Sequence, residues 1–431
     1  MRSRLAWRRT VTAVGIYGAA VLGFLGTVIA ARSLGPHGFG LLAIVLAAQG
    51  FFQLFLDFSV GDAVIKYGVR YVTAEDWGKL RRLLGLALRI QAVGALVGGV
   101  AILALAPAGH AVFGQSGLAL PLALSALIPL AAFPTGVSNA IMILRGRYEY
   151  HGLLTMITMA GRLTAMAVGS QISVTATVVG LLIAQVVSGG LIATIGWLGY
   201  RRFPRVERAE ALGADAQPLR RFVLSSTIGT TLESFRGVFP PLLLGIVTTP
   251  VQVAYFRAAQ APQFGFSVLS APARIILLTE QTRDVERGEL GRVSSTLRRY
   301  MIGATALMLV LVPPAFWLMP TLVELVFGAD YAGASDAARL ILLAAAVQVV
   351  YGWTKPFPIS IGRPNLRILA QACEIVVLVP ALVVLGAVWE ATGAGGAVLA
   401  AAAASALAWT VLVVRLRREW RNRPTPKGGP S

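Results

Sequence analysis

Hydrophobic and polar positions follow one another along this chain in long blocks rather than with a short period. Twelve predominantly apolar stretches fall at about 11–31, 39–60, 83–106, 117–143, 150–170, 174–199, 221–247, 250–278, 300–327, 335–360, 366–388 and 394–414. Each supplies roughly the 20 residues a helix needs to cross a hydrocarbon core. Residues that are apolar all round, rather than along one stripe, predict helices surrounded by lipid and by each other. Every second connection is basic: Arg2, Arg4, Arg8 and Arg9 before the first stretch, Lys79, Arg81 and Arg82 before the third, Arg201, Arg202, Arg205 and Arg208 after the sixth, and Arg415, Arg417, Arg418, Arg421 and Arg423 after the twelfth. The positive-inside rule places these connections and both termini in the cytoplasm. The pattern predicts an all-α membrane protein of about 12 transmembrane helices.

The alternate connections are short and marked by Gly and Pro, as in Gly35-Pro36-His37-Gly38. The longest connection, 200–220, is Arg-rich and then acidic and small, and reads as a solvated cytoplasmic linker between two six-helix lobes, 1–199 and 221–414. A basic, partly disordered tail, 415–431, follows. Three echoes suggest that the lobes are repeats. Ala47-Ala48-Gln49 recurs as Ala258-Ala259-Gln260, Gly78-Lys79-Leu80-Arg81-Arg82 as Gly288-Glu289-Leu290-Gly291-Arg292, and Val112-Phe113-Gly114 as Val326-Phe327-Gly328, at offsets of 211, 210 and 214. An even number of helices per lobe makes the repeat parallel, an arrangement that transporters use to hold a site between halves.

Composition agrees: 56% hydrophobic and only 13% charged residues, with a mean hydropathy of +0.72, exclude a water-soluble globular chain. A net charge of +19 would ordinarily suggest nucleic acid, but here it lies at membrane edges and points to anionic lipid instead. All but seven of the 38 basic residues sit in the basic connections, the seven being Arg32, Arg89, Arg162, Arg236, Arg257, Arg274 and Arg339. The single Cys373 and the scattered His37, His110 and His151 offer no disulfide framework and no metal cluster. After the first stretch, Ala31-Arg32-Ser33-Leu34-Gly35-Pro36 is no cleavage site, so the first helix is expected to stay in the membrane.

Ala31-Arg32-Ser33-Leu34-Gly35-Pro36-His37-Gly38-Phe39-Gly40-Leu41 resembles the RxLGPxxFGxL signature of polysaccharide flippases. Val326-Phe327-Gly328-Ala329-Asp330-Tyr331, followed by Ala337-Ala338-Arg339-Leu340, resembles the lfGxxYxxa…lrlL block of their second half. The family is the Wzx-like O-antigen flippases, the polysaccharide-transport branch of the superfamily that also holds the MATE exporters. Twelve spans differ from the fourteen usual in its lipid II flippase branch. The resemblance implies a MATE-like fold in the cell inner membrane and translocation of an undecaprenyl-pyrophosphate-linked oligosaccharide from the cytoplasmic to the periplasmic leaflet, for lipopolysaccharide or another surface polysaccharide. It also implies partnership with a polymerase and a chain-length regulator, and no cofactor.

Passing an anionic headgroup through an apolar layer calls for a water-filled cavity with fixed positive charge, and arginine stays charged and binds phosphate bidentately. Arg162, Arg236, Arg257 and Arg89 are the candidates, because a charge at mid-membrane costs about 2.5–3.5 kcal/mol on insertion scales unless it meets a cavity or a partner. Arg89 lies close enough to the interface to snorkel, Arg162 has no acid in its own helix, and for Arg257 both readings stand. Glu233, three residues before Arg236, shares its helix face. The pair is either a permanent tie or a site where Glu233 takes up H⁺ or Na⁺ while Arg236 is released to phosphate. Asp57, in the apolar run Phe55-Leu56-Asp57-Phe58, is a gate candidate; Asp62 and Lys66 read as a solvated helix end. Pro240-Pro241 and Pro313-Pro314 are expected to interrupt or bend their helices. The stretches 280–299 and 71–82 read as amphipathic helices at the inner interface.

No Ser/His/Asp set, phosphate-binding loop or metal cluster appears, so the chain is not expected to be an enzyme. Two other readings compete. A MATE-like cation-coupled exporter would need acidic spans, and an integral-membrane polysaccharide polymerase or ligase would need long external loops.

Overall fold

The computed structural model describes residues 2–56, 60–204, 206, 209–270, 277, 280–281, 283–284, 290–355, 357–361, 363 and 365–421. Among these there are helices and turns and no strands. Helix α1, Arg2–Leu56, would reach about 80 Å if straight, more than twice a hydrocarbon core. It breaks at Gly35, whose φ of 66° and ψ of 175° belong to a region essentially restricted to glycine. Pro36 then occupies the first helical position of the second arm, where its missing N–H costs nothing. Helices α2, Val60–Thr73, and α3, Trp77–Phe113, follow. The span expected at 117–143 is divided into α4, Ala119–Ser125, α5, Leu127–Ala132, and α6, Pro134–Leu144. Helices α7, Tyr148–Gly169, α8, Val174–Tyr200, and α9, Ala216–Val247, continue the chain.

Beyond them come α10, Pro250–Ala259, α11, Ala261–Leu269, α12, Leu290–Phe327, α13, Ser335–Val350, and α14, Phe357–Ser360. The last helix, α15, Asn365–Arg421, breaks at Trp389 and Glu390, the latter at φ 52°. Among the described residues eight helical stretches are long and apolar enough to cross a membrane, and the two longest, of 45 and 52 residues, contain the breaks in α1 and α15. This is a multi-pass membrane protein.

Of the two outcomes expected at the paired prolines, interruption or a bend, interruption is not seen in secondary structure. Helix runs through Pro240-Pro241 in α9 and through Pro313-Pro314 in α12. In a membrane setting the alternative to helix is an unsatisfied backbone, so proline is tolerated. Nor do residues 71–82 form one amphipathic helix. Glu75 turns the chain at φ 53°, and Asp76 caps α3 by accepting from the Lys79 amide at 3.0 Å and its ammonium at 2.7 Å. Of 280–299, the residues from Leu290 onward belong to α12, and 285–289 lie outside the described residues.

Two of the echoed stretches have similar helix ends. Helices α3 and α12 are 37 and 38 residues long and both stop at a Phe-Gly pair, with Gly114 at φ 65° and Gly328 at φ 103°. Pro36 and Pro250 both begin a helical arm.

The chain packs into two units, residues 1–257 with 326–331, and residues 258–325 with 332–431. In the first, α7 runs along the first arm of α1 with Gly15 against the Gly152 backbone. Small residues let helices approach closely where lipid removes the hydrophobic drive between them. Helix α8 closes on α7 and α6, and Gly196 meets Ser138. A cluster of Val64, Tyr67, Tyr71, Leu80, Leu84, Ile141, Leu212 and Leu219 binds α2, α3 and α6 to the 200–220 connection. That connection is mostly exposed but tied at points: the Glu210 amide donates to Gly78 O at 3.2 Å, and Asp215 accepts from Arg70 and from the Tyr71 hydroxyl, each at 3.1 Å.

Burial, with Asp215 beside it, pushes the Tyr71 hydroxyl up to about 12. A raised folded-state value stabilises the fold below the unfolded value near 10, and that stability disappears as pH climbs from 10 to 12. Thermal melts of the detergent-solubilised protein are expected to show this loss, and Tyr71→Phe to melt with less dependence on pH over that window.

In the second unit one face of α13 is buried, with Ala337, Ala338, Ile341, Leu342, Ala344 and Ala345 at 0–1% exposure, and the helix packs on α11 and α15. Trp353 stacks edge-on against Phe357 and Trp409. The Arg339 guanidinium is tied to Asp336 at 3.0 Å and to Phe316 O at 3.2 Å.

Candidate functional site

The first stretch of the resemblance and the Val326–Tyr331 part of the second come together within the first unit. The Tyr331 hydroxyl donates to Ala31 O at 2.9 Å, and its ring meets Phe39 edge-on at 6.3 Å and lies 5.7 Å from Phe327. Arg32 Nε donates to Val326 O at 2.9 Å, while the Tyr255 hydroxyl donates to Asp330 O at 3.2 Å. A methyl group on Gly40 would overlap the Pro250 carbonyl. Each motif residue thus has a local physical cause: Gly35 for the reversal, Pro36 for the helix start, Phe39 for the aromatic contact, Gly40 for the close approach. The motif builds a joint, and the four candidate arginines lie outside it.

Arg162 sits on α7 between two packing faces. Met156, Met159, Leu163 and Met166 meet Gly18, Gly23 and Gly26 of α1, while Gly161, Ala165 and Gly169 meet Ala184, Gly180 and Thr177 of α8. At 100° per residue, Arg162 falls between Met166 and Gly169, in the seam where α1, α7 and α8 converge. It is half-buried and forms no hydrogen bond or ion pair among the described residues.

Glu233 and Arg236 occupy a different surface. Helix α9 faces α1 through Thr231, whose hydroxyl reaches Leu54 O at 3.4 Å, through Val238 against Gly50, and through Phe239, 6.0 Å from Phe51. Glu233 and Arg236 lie on the opposite side, both half-buried and both engaged in interactions. Ser226, Gly229, Thr230 and Gly237 share that side, giving a polar stripe on a membrane-length helix. Nothing lies within 4 Å of where a side chain on Gly229 or Gly237 would begin. Arg257, half-buried and engaged, lies in the last turn of α10. Arg89 is exposed and lines a groove between α3, α6 and α8 together with Arg81 and Arg82. Asp57 lies outside the described residues.

Two features escaped the reading of the sequence. Gln53 of α1, Gln91 of α3 and Thr135 and Gly136 of α6 line a cavity of about 100 Å³. Gln53 accepts from Gln49 at 3.2 Å, and the Gln91 carbonyl oxygen is buried without a hydrogen-bond partner among the described residues. Space for about three waters beside an unmet acceptor marks a wet polar pocket. In the second unit Glu374 is only 5% exposed, deeper than Glu233, and is itself engaged. Amides and an acid inside apolar runs were the available signal in both places.

The model of a family described as polysaccharide biosynthesis protein matches residues 9–276. No curated protein sequence matches the chain. Among solved structures, the lipid II flippase MurJ in an inward closed conformation is 10% identical, with a TM-score of 0.74 over 94% of this chain and 87% of that one. An inward-facing multidrug resistance MATE transporter of the MOP superfamily is 14% identical, with a TM-score of 0.67 over 93% and 96%. A MOP superfamily transporter from Pyrococcus furiosus, described as having a binding pocket of reversed polarity, is 16% identical, with a TM-score of 0.55 over 96% and 97%. These likenesses show a shared fold, and with more than half of its length matched by one family model, this chain belongs to the polysaccharide biosynthesis protein family.

Proposed function

We propose that the protein is a flippase that carries a lipid-linked oligosaccharide, its glycan joined through pyrophosphate to undecaprenol, from the cytoplasmic to the periplasmic leaflet of the inner membrane. The observation that carries the reading is Arg162, a guanidinium in a helix seam of a membrane fold with no acid beside it among the described residues. A permanent cation there is costly unless an anion visits. Membership of a polysaccharide biosynthesis family and a fold shared with a lipid II flippase support the same substrate class. The chain crosses twelve times with both termini inside, and its halves, 1–199 and 221–414, alternate access. Arg162 and Arg236 meet the pyrophosphate, and Arg257 guides it. Glu233 exchanges a proton or Na⁺, and Asp57 closes the inner gate. A polymerase and a chain-length regulator receive the product.

Complementation tests this in strains lacking their own oligosaccharide flippase, with surface polymer and protein level read together. Wild type is expected to restore polymer in at least one strain. Well-expressed protein that never does so across strains of differing glycan, while restoring resistance to a cationic drug, would favour cation-coupled export instead.

A further inference from the structure

A cavity of about 540 Å³ lies apart from Arg162, Arg236 and Arg257 and takes in Arg89. It is an open groove on the first unit where α3, α6 and α8 each present one face. Helix α3 contributes Arg81, Arg82, Gly85, Leu88 and Arg89; α6 contributes Pro134, Val137 and Ile141; α8 contributes Ala193, Trp197 and Tyr200. Apolar walls under a row of arginines match neither a soluble ligand nor a plain lipid-facing surface.

The charges are placed for an anion. Arg82 and Arg89 stand two helical turns apart, about 10 Å, and neither has a hydrogen-bond or ion-pair partner among the described residues. Gly85 lies between them, and nothing comes within 4 Å of where its side chain would begin, so the floor between the guanidinium groups is open. Arg81 is anchored on Val206 O at 2.5 Å and also borders a second cavity of about 290 Å³ with Trp77, Trp197, Tyr200 and Arg201. Trp197 stacks on Tyr200 at 5.9 Å, carries Arg201 at 5.1 Å from its ring, and is still 53% exposed. Aromatic rings beside basic groups at a helix end mark the depth of lipid headgroups.

We infer that this groove is a binding site for an anionic phospholipid of the surrounding membrane, of the phosphatidylglycerol class. The phosphodiester lies between Arg82 and Arg89 over Gly85, the glycerol backbone lies against Trp197 and Tyr200, and one acyl chain lies along Leu88, Val137 and Ile141. A zwitterionic lipid offers the same chain, but its own ammonium competes with the arginines for the phosphate. The groove therefore selects by net headgroup charge. It depends on the first unit alone and stands whether or not the chain flips a lipid-linked glycan.

The test is thermal stabilisation of the purified full chain in detergent on titration with phosphatidylglycerol, phosphatidylcholine or glycerol phosphate. Phosphatidylglycerol is expected to act at concentrations at least tenfold lower than phosphatidylcholine, and glycerol phosphate not to act. Replacing both Arg82 and Arg89 by alanine should weaken the phosphatidylglycerol effect at least tenfold and leave the phosphatidylcholine effect unchanged. The same double replacement of the exposed pair Arg298 and Arg299 should change neither. Gly85→Leu fills an open floor without disturbing a packed neighbour, so it should keep the lipid-free melting temperature and lose the selectivity. Equal responses to both lipids, or full selectivity retained in the Arg82/Arg89 variant or in Gly85→Leu, would overturn the proposal. An equal response to glycerol phosphate would show a free-anion site and overturn it as well.

Discussion

Gly40→Ala is expected to cost about 3 kcal/mol or more and to cut the amount of folded protein in the membrane several-fold. The added methyl group overlaps the Pro250 carbonyl, which is backbone at a helix start and cannot rotate away as a side-chain tip can. Overpacking a tight contact costs about 1–3 kcal/mol where flexible groups yield, and more where they do not. The contact lies beside the buried Tyr331, Phe39 and Phe327, so a displaced α1 loosens that aromatic joint too. Gly190→Ala is the matched control. Nothing lies within 4 Å of its added carbon, and inside α8 it should be neutral or gain about 0.5–1 kcal/mol from helix propensity. Melting temperatures in detergent and membrane abundance check both, and a Gly40→Ala protein as stable as wild type would mean that the α1–α10 approach is looser than described.

Arg162→Gln should separate function from stability. An unpartnered cation in a low-dielectric seam destabilises the fold that holds it, so its removal is expected to leave the melting temperature unchanged or raise it. A charge-assisted hydrogen bond to phosphate contributes roughly 1.5–3 kcal/mol, so transport should fall about ten- to a hundredfold at equal protein level. Arg162→Lys keeps the charge without the fork and should fall in between. A lowered melting temperature with undiminished transport would make Arg162 a structural tie of α1, α7 and α8 instead.

How much of this was legible in the sequence differs by level. Block hydrophobicity and basic connections are properties of residue type, and they gave the helical, multi-pass class. The Gly35-Pro36 break was equally plain, since few other residues suit that backbone. Side-chain direction was not legible. Leu309, at 70% exposure, and Leu342, at 1%, are the same residue in similar runs, because lipid and neighbouring helices welcome the same surface. For the same reason Arg89 could not be assigned to a peripheral groove, nor Arg162 to a seam. Proline pairs allow either an interruption or a bend, and the sequence does not choose between them; inside α9 and α12 the helix continues. The 200–220 connection is mostly exposed, in keeping with its charges, but its anchors Leu212 and Leu219 do not stand out in the sequence. Glu374 and Gln91 went unnoticed because a single polar residue in an apolar run shows its importance only when its burial is known.

The most direct test of the central claim is reconstitution of the purified chain into liposomes that carry an undecaprenyl-pyrophosphate oligosaccharide in both leaflets, followed by a membrane-impermeant glycosidase that trims the outer glycans. If the protein flips this lipid, trimming should proceed well past the outer-leaflet fraction, with Arg162→Gln slowing that second phase at least tenfold. If trimming stops at the same plateau as in protein-free liposomes, with the protein folded and an imposed H⁺ or Na⁺ gradient present, the chain does not flip this lipid.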